Sequence, residues 1–195
     1  MGTVGLERLK KQSSVKTLYK PLDTKTKQIR LLTLGIGTTS DNVKGRLIHA
    51  SLEGWRKPKY ETTSCRWADS VGETALIDGI SVDVPHGGLH VLKSLRLPDK
   101  VRVVWLDCIC INQANDAERS QQVAMMDEVY RQGVQNIADL GEDDAGGHPR
   151  RAVELIKLIL EDIRREAKDK KALFAHVTEE IFIERCPVSW RLAEA

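Results

Sequence analysis

The sequence predicts an α/β fold, a mixed sheet with helices on its faces, and three observations support it. Residues 101–106 form a short β-branched and aromatic run, which is typical of a buried strand. An amphipathic helix follows, and Gly133 marks its end. Residues 134–140 then form a second strand-like run. This order predicts a right-handed βαβ crossover, with any site at the carboxyl ends of its strands.

The helix of this crossover has a cap and an apolar stripe. Asn115 or Asp116 can cap its first turn, and Glu118 follows Asn115 at nearly the spacing of a capping box. Glu118 is therefore favoured as a capping residue over a catalytic one. Residues three and four positions apart form the stripe predicted to face the sheet: Val123, Met126, Val129 and Tyr130.

Polar side chains gather in the loop between the strand and the helix. Asp107 ends the strand, and it either caps nearby amides or acts as a site acid or ligand-orienting group. Both interpretations stay open. Asn112 and Gln113 offer donors and acceptors that suit holding the loop, the favoured role, or binding a ribose or amide.

The chain before residue 60 is predicted to form a tail and a leader. Residues 1–18 are basic and weakly periodic, so we expect a disordered basic tail. Residues 19–59 form an N-terminal leader, with short strands expected at 29–34 and 45–52. The main domain is then expected to occupy residues 60–195.

Two short elements are predicted between the leader and the crossover. Asp78 and Gly79 lie between apolar runs, which predicts a β-hairpin over residues 75–82. Leucines at three-residue spacing predict a short helix: Leu89, Leu92 and Leu95.

After the crossover we expect a further helix, running from Pro149 to about Lys168. Its predicted buried stripe consists of Val153, Ile156, Leu160 and Ile163. Before this helix, Asp139 places a charge in the second strand of the crossover. Either that strand is an exposed edge or the fold is loosened there.

Composition and charge exclude several classes of protein. Thirty basic against 28 acidic residues give a net charge of +2, so no global field favours nucleic acid or anionic lipid. No apolar run approaches the roughly 20 residues of a membrane helix. Four cysteines without a secretory signal indicate reduced thiols. We expect a cytoplasmic protein with no membrane span and no nucleic-acid partner.

The cysteines and histidines do not have the spacing of a metal site. Cys108 and Cys110 lack a nearby Cys/His pair at zinc spacing, so their predicted role is packing. His86 and His90 lie four residues apart without the glutamate of a metalloprotease motif, so we expect them to face solvent. No metal ligand is predicted.

A specific resemblance comes from the crossover itself. Residues 105–113, WLDCICINQ, and 118–123, ERSQQV, resemble the signature of the fungal heterokaryon incompatibility (HET) domain. The Tyr-x-Pro-Leu leader at 19–22 and the Ile-Arg-Leu-Leu strand at 29–32 are similar to what often precedes that domain. By this resemblance residues 60–195 are a short representative, incomplete at the C-terminus.

The chain departs from the family pattern near residue 65. In the family's Ser-Tyr-x-Trp-Gly strand end Ser64 and Trp67 match, whereas Cys65 replaces the tyrosine and Ala68 the glycine. At the chain end, Glu194 fits a weak form of the family's Trp-x-x-Gln-Glu element. The departures favour a non-enzymatic member.

The resemblance implies a fungal self/non-self recognition module that triggers heterokaryon incompatibility and programmed cell death. Such a module works as an interaction domain, through self-association or a protein partner. The resemblance also implies flavodoxin-like right-handed crossovers over residues 60–142, similar to those of Toll/interleukin-receptor (TIR) domains.

Two alternatives remain beside the interaction module. In a TIR-like NAD glycohydrolase, a carboxylate would stabilise an oxocarbenium-like transition state, and NAD would be a substrate with no further cofactor. By fold-level analogy Glu194 and Asp107 would then be catalytic, and the ligand-binding residues would be Ser64, Trp67, Asn112 and Gln113. The other alternative is a decayed, inactive family member, which would lack a cooperative unfolding transition.

Overall fold

The computed structural model describes residues 17–54, 58–65, 73–139 and 147–169. The chain divides into two compact units, Met1–Asp139 and Leu140–Ala195. Trp67, Ala68 and Glu194 lie outside the described residues, as do residues 1–16 of the predicted tail. None of the described helices is both long and apolar enough to cross a membrane.

The first unit contains a seven-stranded mixed sheet, which confirms the predicted α/β class. Its strand order is β5-β4-β2-β1-β6-β3-β7. The strands are β1 Gln28–Leu34, β2 Lys44–Ser51, β3 Glu61–Cys65, β4 Glu73–Ile77, β5 Ile80–Val84, β6 Arg102–Leu106 and β7 Gln135–Asp139.

The centre of the sheet is the most completely buried part of the protein. In β1, Leu31 and Leu32 are both buried, although successive side chains of a strand point to opposite faces. In β6, Val104, Trp105 and Leu106 are buried in the same way. Both strands are therefore covered on both faces, as their nearly continuous apolar sequence predicts.

The predicted parallel connection between residues 101 and 140 is present, with one strand inserted. β3 pairs in parallel with β6 on one side and with β7 on the other, so β6 and β7 run in the same direction without touching. β1 is antiparallel to both of its neighbours, β2 and β6. The right hand of the crossovers stays a prediction.

Five α-helices are described, and the leader adds a short 3-10 turn at Thr24–Thr26. The α-helices are α1 His86–Leu95, α2 Asp107–Cys110, α3 Asp116–Ala124, α4 Met126–Gln132 and α5 His148–Asp169. The three leucines that predicted α1 are all buried, so that prediction is confirmed.

The predicted crossover helix is wrong in one respect, because it is two helices. α3 ends at Ala124, and α4 begins at Met126, so Met125 alone separates the two helices. Val129 is buried as predicted, whereas the Val123 side chain is 54% exposed and does not belong to the stripe. The face of α3 that packs on the sheet is therefore a polar one.

The predicted hairpin is formed by β4 and β5. Asp78 and Gly79 occupy its turn with positive φ angles of 48° and 78°, the left-handed geometry that suits a two-residue hairpin. The Asp78 carboxylate also accepts a hydrogen bond from the Leu47 amide of β2 at 3.0 Å. The turn therefore anchors the hairpin to the rest of the sheet.

The second unit contains α5, which confirms the predicted helix. Val153 is buried as predicted, whereas the prediction is wrong for Ile156, which is exposed like Leu155 and Leu158. The side chains of Leu160 and Ile163 lie outside the described residues, so the rest of the predicted stripe stays a prediction.

The hairpin turn gives a first testable prediction. We expect Gly79→Ala to lower the free energy of unfolding by about 1 kcal/mol, because a Cβ atom is strained at positive φ. Nothing lies within 4 Å of the new Cβ, so no clash adds to this effect. Urea unfolding measures it, with Gly79→Asn as the matched variant, since asparagine tolerates this conformation better. Equal stability of all three proteins would contradict the left-handed turn.

Candidate functional site

A fully buried arginine joins the leader to the crossover. The Arg30 guanidinium, on β1, forms an ion pair with both carboxylate oxygens of Glu118 on α3, with N–O distances of 2.5 and 3.1 Å. It also donates to the main-chain carbonyls of Lys20 at 2.6 Å and Cys110 at 3.3 Å. A buried cation needs such partners, because an uncompensated charge in the interior is very costly.

Tyr19 completes the surroundings of this arginine. The Arg30 guanidinium carbon lies 5.1 Å from the centre of the Tyr19 ring, within range of a cation–π interaction. The Tyr19 hydroxyl donates to the Ile109 carbonyl of α2 at 3.1 Å. Burial raises the pKa of Tyr19, so the hydroxyl stays a proton donor at physiological pH. We call Tyr19, Arg30 and Glu118 the clasp.

The capping prediction for α3 is right for Asn115 and wrong for Glu118. The Asn115 side chain accepts from the Glu118 amide at 3.2 Å, which is an N-cap. The Glu118 carboxylate does not return to that cap as a capping box requires. It accepts from the Asn112 amide at 2.8 Å and pairs with Arg30.

The same helix holds β1 through a second polar side chain. Gln122, four residues after Glu118 and therefore on the same face, is buried and donates to the Gln28 carbonyl at 3.1 Å. α3 packs on β1 through a carboxylate and an amide. This polar contact explains why Val123 is exposed.

A second group of polar side chains lies where the three parallel strands end. Cys65 ends β3, Asp139 ends β7 opposite it in the register, and Asp107 follows the last residue of β6. His90 of α1 and Tyr130 of α4 reach the same edge. We call these five residues the strand-end cluster, and they lie where open α/β sheets bind ligands.

Contacts within the strand-end cluster are specific. The His90 Nδ1 atom lies 3.1 Å from the Asp139 carboxylate. The Tyr130 ring packs edge-on against Trp105, with ring centres 5.7 Å apart. The cluster contains two carboxylates and an imidazole, the side-chain types that general acid–base catalysis uses.

The thiols near this edge are poor nucleophiles. Burial, together with the charges of Asp107 and Asp139, raises the pKa of Cys65 to about 11. Burial also raises the pKa of Cys108, and that of Cys110 to about 12. Because the thiolate is the reactive form, these cysteines stay protonated and inert at neutral pH. The predicted packing role of Cys108 and Cys110 is supported by their burial.

The loop residues predicted as site candidates hold the backbone. The Asp107 carboxylate accepts from the Cys108 amide at 2.7 Å. The Asn112 side chain accepts from the Ala114 amide at 3.2 Å. The Gln113 side chain donates to the Asp107 carbonyl at 2.9 Å. The structure thus brings these three together, with each side chain in a local hydrogen bond.

The other predicted site residues are only partly described. Ser64 lies exposed on β3, beside Tyr130. Trp67 and Glu194 fall outside the described residues, so a shared site with Asp107 stays a prediction.

Two predictions about charged residues need correction. β7, the strand that contains Asp139, is an edge strand of the described sheet, as one of the two alternatives predicted. Asp139 itself is not exposed, since only 7% of the residue is accessible to solvent. His90 does not face open solvent, since it contacts that carboxylate and is partly buried. Sequence reasoning had missed this pair, and it had missed Arg30 and Gln122 as well.

The comparisons with known proteins give one match. A family model described as "Heterokaryon incompatibility protein (HET)" matches residues 56–191, more than half of the chain. No curated protein and no solved structure matches the chain significantly.

The clasp gives a second testable prediction. We expect Arg30→Met to lower the free energy of unfolding by about 3–5 kcal/mol, because it leaves the mostly buried Glu118 carboxylate without its cation. The double variant Arg30→Met with Glu118→Gln should recover part of this loss, since no buried charge remains. Chemical denaturation of the four proteins of this cycle measures the coupling.

An exposed ion pair supplies the control for this cycle. Arg131 and Asp127 are paired at 2.9 Å on the surface of α4, and Arg131→Met should cost less than about 0.5 kcal/mol. If Arg30→Met were as harmless as Arg131→Met, the clasp would not support the fold.

The thiols give a third prediction. In a protein carrying Cys186→Ser, we expect iodoacetamide at pH 8 to modify Cys65 at least about 100-fold more slowly than a free thiol, because so little thiolate is present. Mass spectrometry of tryptic peptides measures the rate for each cysteine. Cys65, Cys108 and Cys110 should all react readily in denaturant. Fast labelling of Cys65 in the native protein would show that its thiol is activated, which would contradict the prediction.

Proposed function

Because the chain belongs to the heterokaryon incompatibility (HET) family, we propose that it acts in heterokaryon incompatibility as an interaction and signalling module. In this proposal the protein works in the fungal cytoplasm, where it takes part in self/non-self recognition and triggers programmed cell death when incompatible hyphae fuse. It signals by assembling with a protein partner or with itself.

We favour an interaction module because the side chains of the family motif are bound within the protein. Glu118 and Gln122 bind β1, and Asp107, Asn112 and Gln113 bind backbone groups of their own loop. The residues of the family motif therefore build the fold through intramolecular bonds. An interaction module needs a stable scaffold of this kind, whereas catalysis needs groups that can reach a substrate.

One observation favours a second candidate, a TIR-like NAD glycohydrolase. The strand-end cluster places Asp107, Asp139 and His90 where open α/β sheets with flavodoxin-like crossovers bind their ligands. In this alternative Glu194 supplies the carboxylate that stabilises the developing oxocarbenium ion, and Trp67 and Ser64 line the nicotinamide ribose.

Expression in fungal hyphae tests both candidates together. We expect the wild-type chain to reduce hyphal viability without lowering cellular NAD, and we expect Glu194→Ala and Asp107→Asn to retain this effect. Viability staining and an enzymatic NAD assay on the same cultures measure the two quantities. Arg131→Met serves as the matched surface variant, which should behave as the wild type.

The other outcomes separate the alternatives. NAD loss that Glu194→Ala abolishes, together with lost cell death, would establish the glycohydrolase. Unchanged viability with a wild-type protein that melts cooperatively would refute the proposed role in cell death. A purified chain without a cooperative transition would indicate a decayed family member.

A further inference from the structure

Strand β2 has one fully paired side and one largely open side. All seven residues of β1 pair with β2 in an antiparallel register, from Gln28 opposite Ser51 to Leu34 opposite Gly45. On the other side β4 pairs with Lys44 and Gly45 alone. Among the described residues no strand continues this side of β2 beyond the hairpin turn.

The alternation of an antiparallel ladder identifies the open backbone groups. The Lys44 carbonyl accepts from the Gly35 amide at 2.8 Å, so even-numbered residues of β2 direct their amides and carbonyls toward β1. The Gly45 carbonyl accepts from the Asp78 amide at 3.0 Å, so the odd-numbered residues point the other way. The Leu47 carbonyl and both backbone groups of His49 therefore face the open side.

The ladder between β2 and β4 ends at the hairpin turn of Asp78 and Gly79. The Asp78 carboxylate accepts from the Leu47 amide at 3.0 Å and takes the place that a carbonyl of a neighbouring strand would occupy. β4 turns away at this point into β5. A new strand could begin directly after Asp78 and run beside residues 47–51, in line with β4.

The two faces of this open edge differ in chemistry. On one face lie Ile48 and Leu76, which are 41% and 40% exposed and share a face because Leu76 pairs with Lys44 in the register. On the other face lies His49, exposed and close to the cations Lys20 and Arg30. Glu118 neutralises Arg30, so Lys20 is the exposed cation on the His49 face. Lys44 and Arg46 are exposed on the Ile48 face, where Arg46 pairs with Asp78 at 3.5 Å.

Extending the proposed function, we propose that the open edge of β2 binds an extended partner segment by strand addition, with acidic residues alternating with β-branched apolar ones. The apolar side chains would lie beside Ile48 and the acidic ones beside His49 and Lys20, because side chains alternate between faces along a strand. Main-chain hydrogen bonds to Leu47 and His49 supply the docking, and the alternation supplies the selectivity.

The charges favour a partner of this kind over two other occupants. A second copy pairing edge to edge would bring the Lys20 side chains of both copies together on the His49 face, and like charges opposite each other are unfavourable. The first sixteen residues of this chain carry Arg8, Lys10, Lys11 and Lys16 against Glu7, so they would be repelled as well.

Amide NMR of the full-length, isotopically labelled chain tests the edge directly. The probe is a blocked six-residue peptide of alternating valine and glutamate, and the control is the same peptide with lysine in place of glutamate. We expect the acidic peptide to shift the His49 and Ile48 amide signals saturably and to slow hydrogen exchange of the His49 amide by at least about tenfold. The basic peptide should do neither.

Two variants make the test specific. His49→Pro removes the donor that faces the open side, a change that edge strands tolerate, and it should abolish binding. Lys20→Glu changes an exposed side chain and keeps the Lys20 carbonyl that accepts from Arg30, so we expect the fold to be preserved. This variant should weaken binding at least about fivefold. The second variant decides the question if the first does not fold.

Three results would overturn the inference: no binding of the acidic peptide, equal binding of the basic peptide, or concentration-dependent shifts of the same amides in the protein alone. The last result would assign the edge to a second copy. Cell death in hyphae does not depend on the peptide, so a failed titration with retained cell death would overturn the edge and leave the proposed function standing.

Discussion

The fold depends on the neutralisation of one buried positive charge. Arg30 and Glu118 are 88 residues apart in the chain and meet with the guanidinium fully buried. Neither could be buried alone, because a single charge in the interior costs several kcal/mol. The leader and the crossover helix therefore have to form together, and the carbonyls of Lys20 and Cys110 complete the coordination of the cation.

The Arg30–Glu118 pair also positions the strand-end cluster, because the clasp contacts α2. The clasp binds α2 at the carbonyls of Ile109 and Cys110, and Glu118 also holds the Asn112 amide just beyond it. Asp107 is the first residue of α2. The contacts of the leader with α2 therefore fix the position of Asp107 at the carboxyl end of β6. The geometry of the candidate site is thus a consequence of a pair that lies outside it.

Much of this fold is local in origin and could be predicted from the sequence. The apolar run of β6, the Asp78-Gly79 turn and the leucines of α1 each express a short-range preference that the tertiary structure respects. The burial of Arg30 and Gln122 could not be predicted in this way, since it requires partners from distant segments. A signal for this contact was the four-residue spacing of Glu118 and Gln122, two polar residues on one face of α3.

In the candidate site, the sequence predicted the loop after β6. It did not predict the contact of His90 with Asp139, because this contact joins α1 to β7 and has no local sequence pattern.

The central strands and the outer strands of the sheet differ in how completely their backbone groups are paired. β1 is paired along its full length with β2 and over Leu32–Leu34 with β6, and the centres of β1 and β6 are buried on both faces. Among the described strands, β2 has no neighbour on one side beyond the hairpin turn. An added strand there would gain hydrogen bonds without breaking any of the clasp contacts. In the proposed interaction module, differences in partner choice would arise at this edge, where side chains can change while the Arg30–Glu118 pair is kept.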